Sequence, residues 1–427
     1  MASERQADMA DEKPPSEYTP RANLTILGSF TGFFCTVGFL NSFGIFEEYY
    51  AKNQLADKSE STIAWLGALS IFFVFSVSVV SGPLLDAFGP RAGSFGTVFS
   101  IMMTSLCKEF YQFILAQGIL LGVSLALLVC PMLALVGQYI KVKRGAAMGI
   151  VIAGSSLGGV IWPIVINELL KKPNIRFGWT MRIVGFIMIP LLAVSCLCCR
   201  SPKTQKATET LPERPDANKG VVPEQEPVNT TGPKISILRE PKMQVTCLAF
   251  FIIYFGMFSP FFFTTSYAVA QGFSADLSFY TISIINGASL FGRIIPGILA
   301  DGYGRFNCCI LATLFSGVIA LCWTTATSVA GLVVWSAAYG FSSGAILSLQ
   351  QACAAQIATP KTLGLSIGAV MASTSLSAMA GIPISGELAG KYGYLSLSIY
   401  SGVSLLVGTL LLVVARLMQN RDLLASV

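Results

Sequence analysis

The 427-residue sequence contains no histidine, and only 12% of its residues are charged. Without imidazole the chain cannot build a histidine proton relay, a serine–histidine–aspartate triad or a metal site that depends on histidine. The low charge accompanies 53% hydrophobic residues and a mean hydropathy of +0.67, which excludes an ordinary soluble protein. These absences predict a protein embedded in a membrane.

The eleven cysteines lack the arrangement of a secreted disulfide framework, because all lie within or beside apolar runs. Three of them, Cys196, Cys198 and Cys199, crowd the end of the sixth apolar run. They are either small apolar filler or sites of palmitoylation. A zinc site is not expected, since the cluster has no fourth ligand nearby. The sequence predicts neither a metal nor a cofactor.

Long apolar runs take the place of the missing charges. We predict twelve transmembrane helices, most of them close to the ~20 residues that cross ~30 Å of hydrocarbon. Their expected positions are 22–46, 62–85, 93–107, 112–138, 146–169, 179–199, 243–268, 279–300, 307–327, 329–352, 362–386 and 394–415. The expected fold class is therefore an all-α membrane protein.

Two sequence patterns occur once in each half of the chain. The pattern Gly-x-x-x-Asp-x-x-Gly occupies 82–89 and returns about half the chain later, at 297–304. A second block at 145–149 returns at nearly the same offset, at 364–368. Two halves in the same order, each made of membrane spans, are typical of secondary transporters with parallel repeats. We expect two six-helix bundles, the major facilitator fold.

The polar segments set the expected domain boundaries and orientation. Lysine and arginine concentrate on the side of the termini, which is therefore expected to be cytoplasmic, and the net charge of +6 reflects topology and not nucleic-acid binding. The plasma membrane is the expected location, with the vacuolar membrane as the alternative. The expected units are a cytoplasmic tail, a six-helix bundle, a flexible cytoplasmic linker, a second bundle and a cytoplasmic tail, at 1–21, 22–199, 200–242, 243–416 and 417–427.

The repeated pattern has a physical logic at the cytoplasmic end of a span. Its glycines allow a sharp turn and close helix approach. Its acid and the following arginine can form a contact that closes the cytoplasmic side in one conformation. The predicted gate therefore consists of Asp86 and Arg91 in the first half and Asp301 and Arg305 in the second. The alternative is a tight turn with charges that only set topology.

Arg293 is the strongest single candidate for substrate binding. It precedes Asp301 by eight residues, about 12 Å deeper along a helix, and a charge at the bilayer middle is by default functional. The corresponding residue of the first half is Ser78, so the repeat does not require an arginine. The planar fork of Arg293 suits a carboxylate. The alternatives are an anion-binding or coupling role and a buried structural ion pair.

Four further polar residues are weaker candidates for contacts in a central cavity, with helix packing as the alternative for each: Asn41, Asn286, Tyr339 and Gln350. The carboxylates in or beside the spans all lie near a membrane face by these boundaries: Glu47, Glu48, Asp86, Glu168, Asp301 and Glu387. Proton coupling is possible only through such groups, because histidine is absent.

Several segments resemble fungal monocarboxylate-porter-type members of the major facilitator superfamily. The resemblance covers about 24–416 and is carried by four stretches: 38–50, 61–67, 139–145 and 292–301. Arg293 matches the family residue. The chain has Asn41 where animal lactate carriers have a substrate-contacting lysine, and Ser289 where they have an aspartate that pairs with the arginine. It also has Ala22, Asn23, Leu24 and Thr25 in place of the acidic motif that opens the first span.

The predicted function is secondary active or facilitative transport of a small organic acid or related metabolite by alternating access. Arg293 would hold the acidic group. The alternative is an efflux pump that exports a fungal secondary metabolite made by a biosynthetic gene cluster. A membrane enzyme is not expected, because no cluster of catalytic groups is found, and a nutrient sensor would usually carry longer cytoplasmic extensions. The expected partners are the substrate and the lipid bilayer, without nucleic acid.

Overall fold

The structure is a computed structural model that describes residues 18–80, 90–199, 235–359, 362–422 and 425. Within these residues all regular secondary structure is helical. Most of the expected N-terminal tail and of the expected linker lies outside the described residues. The gate residue Asp86 lies outside them as well.

The first half contains six helical spans. Their bounds are α1 Pro20–Lys52, α2 Thr62–Val80, α3 Arg91–Thr104, α4 Phe110–Tyr139, α5 Arg144–Leu170 and α6 Phe177–Cys198. The first span begins two residues before its predicted start, because the Thr19 hydroxyl accepts a hydrogen bond from the Ala22 amide at 3.2 Å and Pro20 fits the first helical turn. Within α4, residues Ile114–Leu120 form a π-helix.

The second half repeats this arrangement. Its spans are α7 Pro241–Ala270, α8 Ala275–Tyr303, α9 Arg305–Leu321, α10 Val329–Ile357, and α11 and α12, which together occupy Leu363–Leu417. Gly393 divides the last stretch into α11 and α12, since its φ of 78° and ψ of 176° are not helical. A positive φ is accessible to glycine at little cost. The predicted twelve-span helical architecture is confirmed.

The two ends of the helix bundle differ in which segments of the chain pack there. We call the end where α1 begins and α6 ends the terminal face, and the opposite end the far face. Ser29 near the start of α1 lies 3.5 Å from Cys199 just after α6. The C-terminal segment also packs at the terminal face.

Arg416 organises that C-terminal segment. The side chain is only 3% exposed. Its guanidinium donates to Asn307 Oδ1 at the start of α9 (3.0 Å) and to the carbonyls of Asn420 (3.1 Å), Asp422 (2.5 Å) and Ala425 (3.0 Å). Asn307 also donates to the Ala425 carbonyl at 2.9 Å. The segment after α12 is thereby fastened to the base of α9.

Two helix pairs join the halves near the terminal face. Helix α5 packs against α8, and α2 packs against α11. At the first contact a Cβ on Gly297 would lie 2.7 Å from the Gly145 carbonyl oxygen, and at the second a Cβ on Gly368 would lie 2.7 Å from that of Ser78. Such distances leave room for glycine only, so glycines set how closely the halves approach.

Candidate substrate site and gate

The first helix of each half is interrupted at a corresponding position. Helix α1 is interrupted at Thr36 and again at Asn41 and Ser42, and the two segments of α7 meet at Phe258. The separation of Ser42 and Phe258 along the chain matches the spacing of the sequence repeats. Interrupted helices at matching positions of two repeats mark the binding sites of transporters. The site is therefore expected between these breaks.

Two of the predicted cavity residues meet beside the break in α1. The amide nitrogen of Asn41 lies 3.5 Å from Asn286 Oδ1 on α8 and 3.4 Å from the Ser155 carbonyl on α5. A Cβ on Gly159 would come within 2.8 Å of both asparagine side chains. Three spans from both halves thus bring neutral polar groups together, and Gly159 provides the space.

Arg293 lies two helical turns from Asn286 on the same helix, in the interface between α8 and α5. The side chain is 3% exposed and donates to the Ile152 carbonyl (2.8 Å) and to the Ser155 hydroxyl. Its Nε has no hydrogen-bond partner. Within the part of the chain that the structure describes, no acidic side chain pairs with it. The position where the animal carriers have an aspartate holds Ser289, whose hydroxyl also lacks a partner.

An unpaired cation in this place departs from the alternative of a structural ion pair. Removing a guanidinium from water is costly, and a carbonyl and a hydroxyl provide dipoles but no compensating charge. The described surroundings therefore leave a net positive charge buried between the halves. Such a site favours an anionic ligand.

Gln350 belongs to a second polar pair near Arg293. The Tyr254 hydroxyl donates to Gln350 Oε1 at 2.6 Å, and Gln350 Nε2 is buried without a partner. Tyr254 lies close enough to Arg293 for an electrostatic interaction. The centroid of its ring lies 5.6 Å from that of the Phe75 ring on α2. Tyr254 was not predicted from the sequence, because a single tyrosine inside an apolar run carries no distinguishing signal.

Tyr339 has a different environment from the other predicted cavity residues. Its hydroxyl donates to the Met257 carbonyl at 2.7 Å, next to the break in α7. Its ring stacks on Trp335, with centroids 5.4 Å apart and planes 5° from parallel. The side chain satisfies a carbonyl at the interruption of α7 and supports the shape of that helix.

The predicted gate residue Asp301 bridges the halves at the terminal face. Its two carboxylate oxygens accept hydrogen bonds from the backbone amides of Gly145 and Ala146, each at 2.8 Å. These amides begin α5, where unpaired N–H groups and the helix dipole favour a negative charge. Arg305 Nη2 lies 3.6 Å from the same carboxylate and donates to the Val142 carbonyl at 3.2 Å. Both described second-half gate residues therefore contact the first half.

The first-half gate residues are less informative. Asp86 lies outside the described residues, and Arg91 is exposed at the start of α3.

Arg144, one of the positive charges on the side of the termini, adds a contact in the opposite direction. Its Nη1 donates to the Ala355 carbonyl near the end of α10 (2.9 Å), and its Nη2 donates to the Gly137 carbonyl (3.0 Å). Carbonyls at a helix C-terminus favour a cation. An acid from the second half therefore binds the start of α5, while a base from the first half binds the end of α10.

Two six-helix halves around a polar site at the level of broken helices, joined by contacts at one face, define a membrane transporter of the alternating-access class. The sequence profile of the Major Facilitator Superfamily matches residues 23–330. The chain belongs to this superfamily, and it is a multi-pass membrane transporter for a small molecule.

Two similar proteins of fungi are named for efflux, and a third is named as an MFS transporter. The agnestins efflux protein AgnL12 of Paecilomyces divaricatus is 43% identical over 421 residues, covering 97% of this chain and 92% of the relative. The aspyridones efflux protein apdF of Emericella nidulans is 38% identical, and the match covers 93% of this chain and 79% of the relative. The MFS transporter asaE of Aspergillus flavus is 37% identical, and the match covers 96% of this chain and 89% of the relative.

Solved structures agree on the fold. The human organic anion transporter MFSD10 (TETRAN) gives a TM-score of 0.65 at 15% identity, covering 94% of this chain and all of that one. The Escherichia coli fucose:proton symporter FucP gives a TM-score of 0.63 at 11% identity, and the match covers 92% of this chain and 98% of that one. At such low identity the likeness concerns architecture alone.

Proposed function

We propose that the protein exports an acidic fungal secondary metabolite across the plasma membrane by alternating access, acting as a transporter and not as an enzyme. The terminal face is the cytoplasmic side in this proposal. Export is favoured over uptake of a small acid, because relatives that cover nearly the whole chain are named efflux proteins. The observation that carries the choice of an acid is the buried guanidinium of Arg293, which has no acidic partner among the described residues.

The monocarboxylate-porter resemblance supports the same acid-binding role at finer detail. Arg293 matches the arginine of that family, while Asn41 and Ser289 replace charged residues of the animal lactate carriers. Among the described residues, the site therefore carries one positive charge without an acidic partner, where those carriers also have a lysine and an aspartate. A product with a single acidic group fits this simpler charge pattern.

The state with closed contacts at the terminal face suggests how binding and transport are connected. Arg293 holds α5 through the Ile152 carbonyl and the Ser155 hydroxyl. Both bonds are donated by Nη1, so a substrate carboxylate that takes Nη1 and Nη2 in a bidentate pair would replace one of these acceptors. The same interface is held further toward the terminal face by Asp301 on the amides of α5 and by Arg144 on the end of α10. Opening to the cytoplasm requires all of these contacts to separate.

The experiment compares secretion of metabolites by the fungus that carries the gene. The gene is deleted and replaced by wild type, Arg293→Ala, Arg293→Lys or the exposed control Arg176→Ala, and medium and mycelium are compared by untargeted mass spectrometry. We expect one acidic product to shift from medium to mycelium in the deletion and in Arg293→Ala. Arg293→Lys should give a partial defect, because it keeps the charge but loses the bidentate geometry. Unchanged secretion in the deletion would refute export, and a neutral product that moved normally in Arg293→Ala would refute the acid site.

A further inference from the structure

A groove opens on the outside of the first half near the far face, between α3 and α4. It has a volume of about 340 Å³, which falls in the range of small-ligand sites of ~300–1,000 Å³. We name it the α3–α4 groove, and its lining residues are Met103, Leu106, Cys107, Gln112, Leu115, Ala116 and Leu120. Leu106 and Leu115 are 57% and 56% exposed. In a membrane protein this surface faces the acyl chains.

Beside the groove lies a cation that has no acidic partner in the part of the chain that the structure describes. Arg182 lies five residues into α6, so it is ~7.5 Å below the far-face end of that helix. Its Nε donates to Ser105 Oγ at 3.3 Å, next in sequence to Leu106, and its guanidinium carbon lies 5.2 Å from the centroid of the Trp179 ring. Its two terminal nitrogens make no hydrogen bond to a described residue. A guanidinium at this depth stands where phospholipid headgroups meet the hydrocarbon.

Other charges at this corner leave an excess of positive charge. Lys108 and Arg176 are exposed and form no ion pair within the described ranges. Glu109 is the acid beside Lys108, and it lies near enough to Lys58 for electrostatic attraction. Tyr111 and Trp179 are exposed, 61% and 54%, in the manner of an interfacial aromatic belt. The corner therefore presents cations and amphipathic rings above an apolar groove.

We propose that a bilayer phospholipid binds here, with its phosphate on Arg182 and one acyl chain in the α3–α4 groove. The phosphodiester provides the acidic partner that Arg182 lacks, and its oxygens match the guanidinium fork. The acyl chain covers the exposed apolar side chains that line the groove. The proposal is independent of which substrate the protein carries.

The π-helix gives this lipid site a route to the interior. Leu115, Ala116 and Leu120 in the groove belong to the π-helical stretch of α4. The same stretch holds Gln117, whose Oε1 accepts from the Tyr50 hydroxyl and whose carbonyl accepts from Ser70 Oγ, each at 2.7 Å. Gln117 lines a narrow crevice with Phe39 and Phe43 of α1, beside the break at Asn41. An occupied groove thus bears on the helix that packs against the broken part of α1.

Native mass spectrometry of the purified full chain tests the site. The probe is 1-palmitoyl-2-oleoyl-phosphatidylcholine, titrated into the detergent-solubilised protein. We expect one tightly retained lipid in wild type. Leu106→Trp, which fills the groove, and Arg182→Gln, which removes the cation, should each weaken it roughly tenfold, since hydrogen bonds to charged groups contribute ~1.5–3 kcal/mol. The matched controls are Leu311→Trp on the outside of α9 and Arg421→Gln, which is exposed at the terminal face, and both should retain the lipid.

Alkylation of Cys107 gives a second readout that does not depend on either variant. Added phosphatidylcholine should slow maleimide labelling of Cys107 several-fold but not that of the exposed Cys322, measured by peptide mass spectrometry. Glycerophosphocholine, which has the phosphate but no chains, should not protect. Protection by glycerophosphocholine would identify a free-phosphate site and overturn the proposal. Equal lipid retention in all variants, or retention of ergosterol that is insensitive to Arg182→Gln, would overturn it as well.

Discussion

Gly149 of α5 packs directly against the backbone carbonyl of Arg293 on α8, so that a Cβ at position 149 would collide with the carbonyl oxygen. The repeat counterparts make the same contact in the other half, because Gly368 of α11 lies against the Ser78 carbonyl of α2. One glycine contact is thus repeated at both joints between the halves. The arginine is present at only one of them, which separates the architectural role of this position from its chemical role.

The first prediction concerns these glycines. Gly149→Ala and Gly368→Ala should each keep the helices apart at the terminal face and reduce transport at least tenfold, because overpacking of a tight contact costs ~1–3 kcal/mol. Gly287→Ala is the matched control, since a Cβ there meets open space. Efflux of the product and surface expression are measured together. Wild-type transport by Gly149→Ala would show that the joint tolerates separation.

The second prediction concerns the gate. Asp301→Asn removes the charge that binds the start of α5 while keeping nearly the same shape, so the closed contacts should weaken and transport should fall with normal membrane insertion. If Asp86 plays the equivalent role, Asp86→Asn should behave alike. The control is Asp57→Asn, whose carboxylate pairs with Lys58 in the exposed loop after α1. Full activity in both gate variants would reduce the repeated pattern to a turn.

The third prediction concerns the amide pair at the break in α1. Asn41→Ala and Asn286→Ala should each weaken binding of the exported product, and the double variant should lose less than the sum of the two. The 3.5 Å contact between the side chains is long, so we expect a coupling of about 0.5–1 kcal/mol. Product-induced thermal stabilisation of the purified variants provides the affinities. Strict additivity would place the two residues at independent positions in the cavity.

The fourth prediction concerns stability and not transport. Arg416→Met should lower the thermal midpoint, because it removes a hydrogen-bond donor from Asn307 Oδ1 and from three backbone carbonyls. Of these carbonyls, that of Ala425 keeps its bond from the Asn307 side chain. Unsatisfied buried polar groups cost ~1–3 kcal/mol each, although the C-terminal segment can release some of them to water. Arg421→Met, on the exposed part of the same segment, serves as control. Identical midpoints for both variants would show that the docked segment adds nothing to the stability of the fold.

Some residues of the candidate site could be predicted from the sequence, and others could not. The depth of Arg293 followed from helix rise, and Asn41 and Asn286 were both cavity candidates, although nothing in the sequence paired them. Tyr254 and Arg144 were not found as site residues, because their importance comes from partners far away in the sequence, Gln350 and Ala355. Tyr339 was predicted for the cavity, and whether it contacts substrate stays a prediction, although its hydroxyl already serves the Met257 carbonyl.

The sequence by itself determined the membrane class, the twelve spans and the two-fold repeat. Length, hydropathy and spacing are local properties, and the thickness and apolarity of the bilayer act on them directly. It also identified the superfamily. Only the tertiary structure decided that Asp301 binds the amides of α5, that Arg293 has no acidic partner among the described residues and that a glycine joint recurs between the halves. These relationships depend on which helices pack together and in what register. Hydrophobic side chains of similar size satisfy many registers equally well, so the contacts are fixed by the closest approach of the backbones and not by the pattern along any one helix.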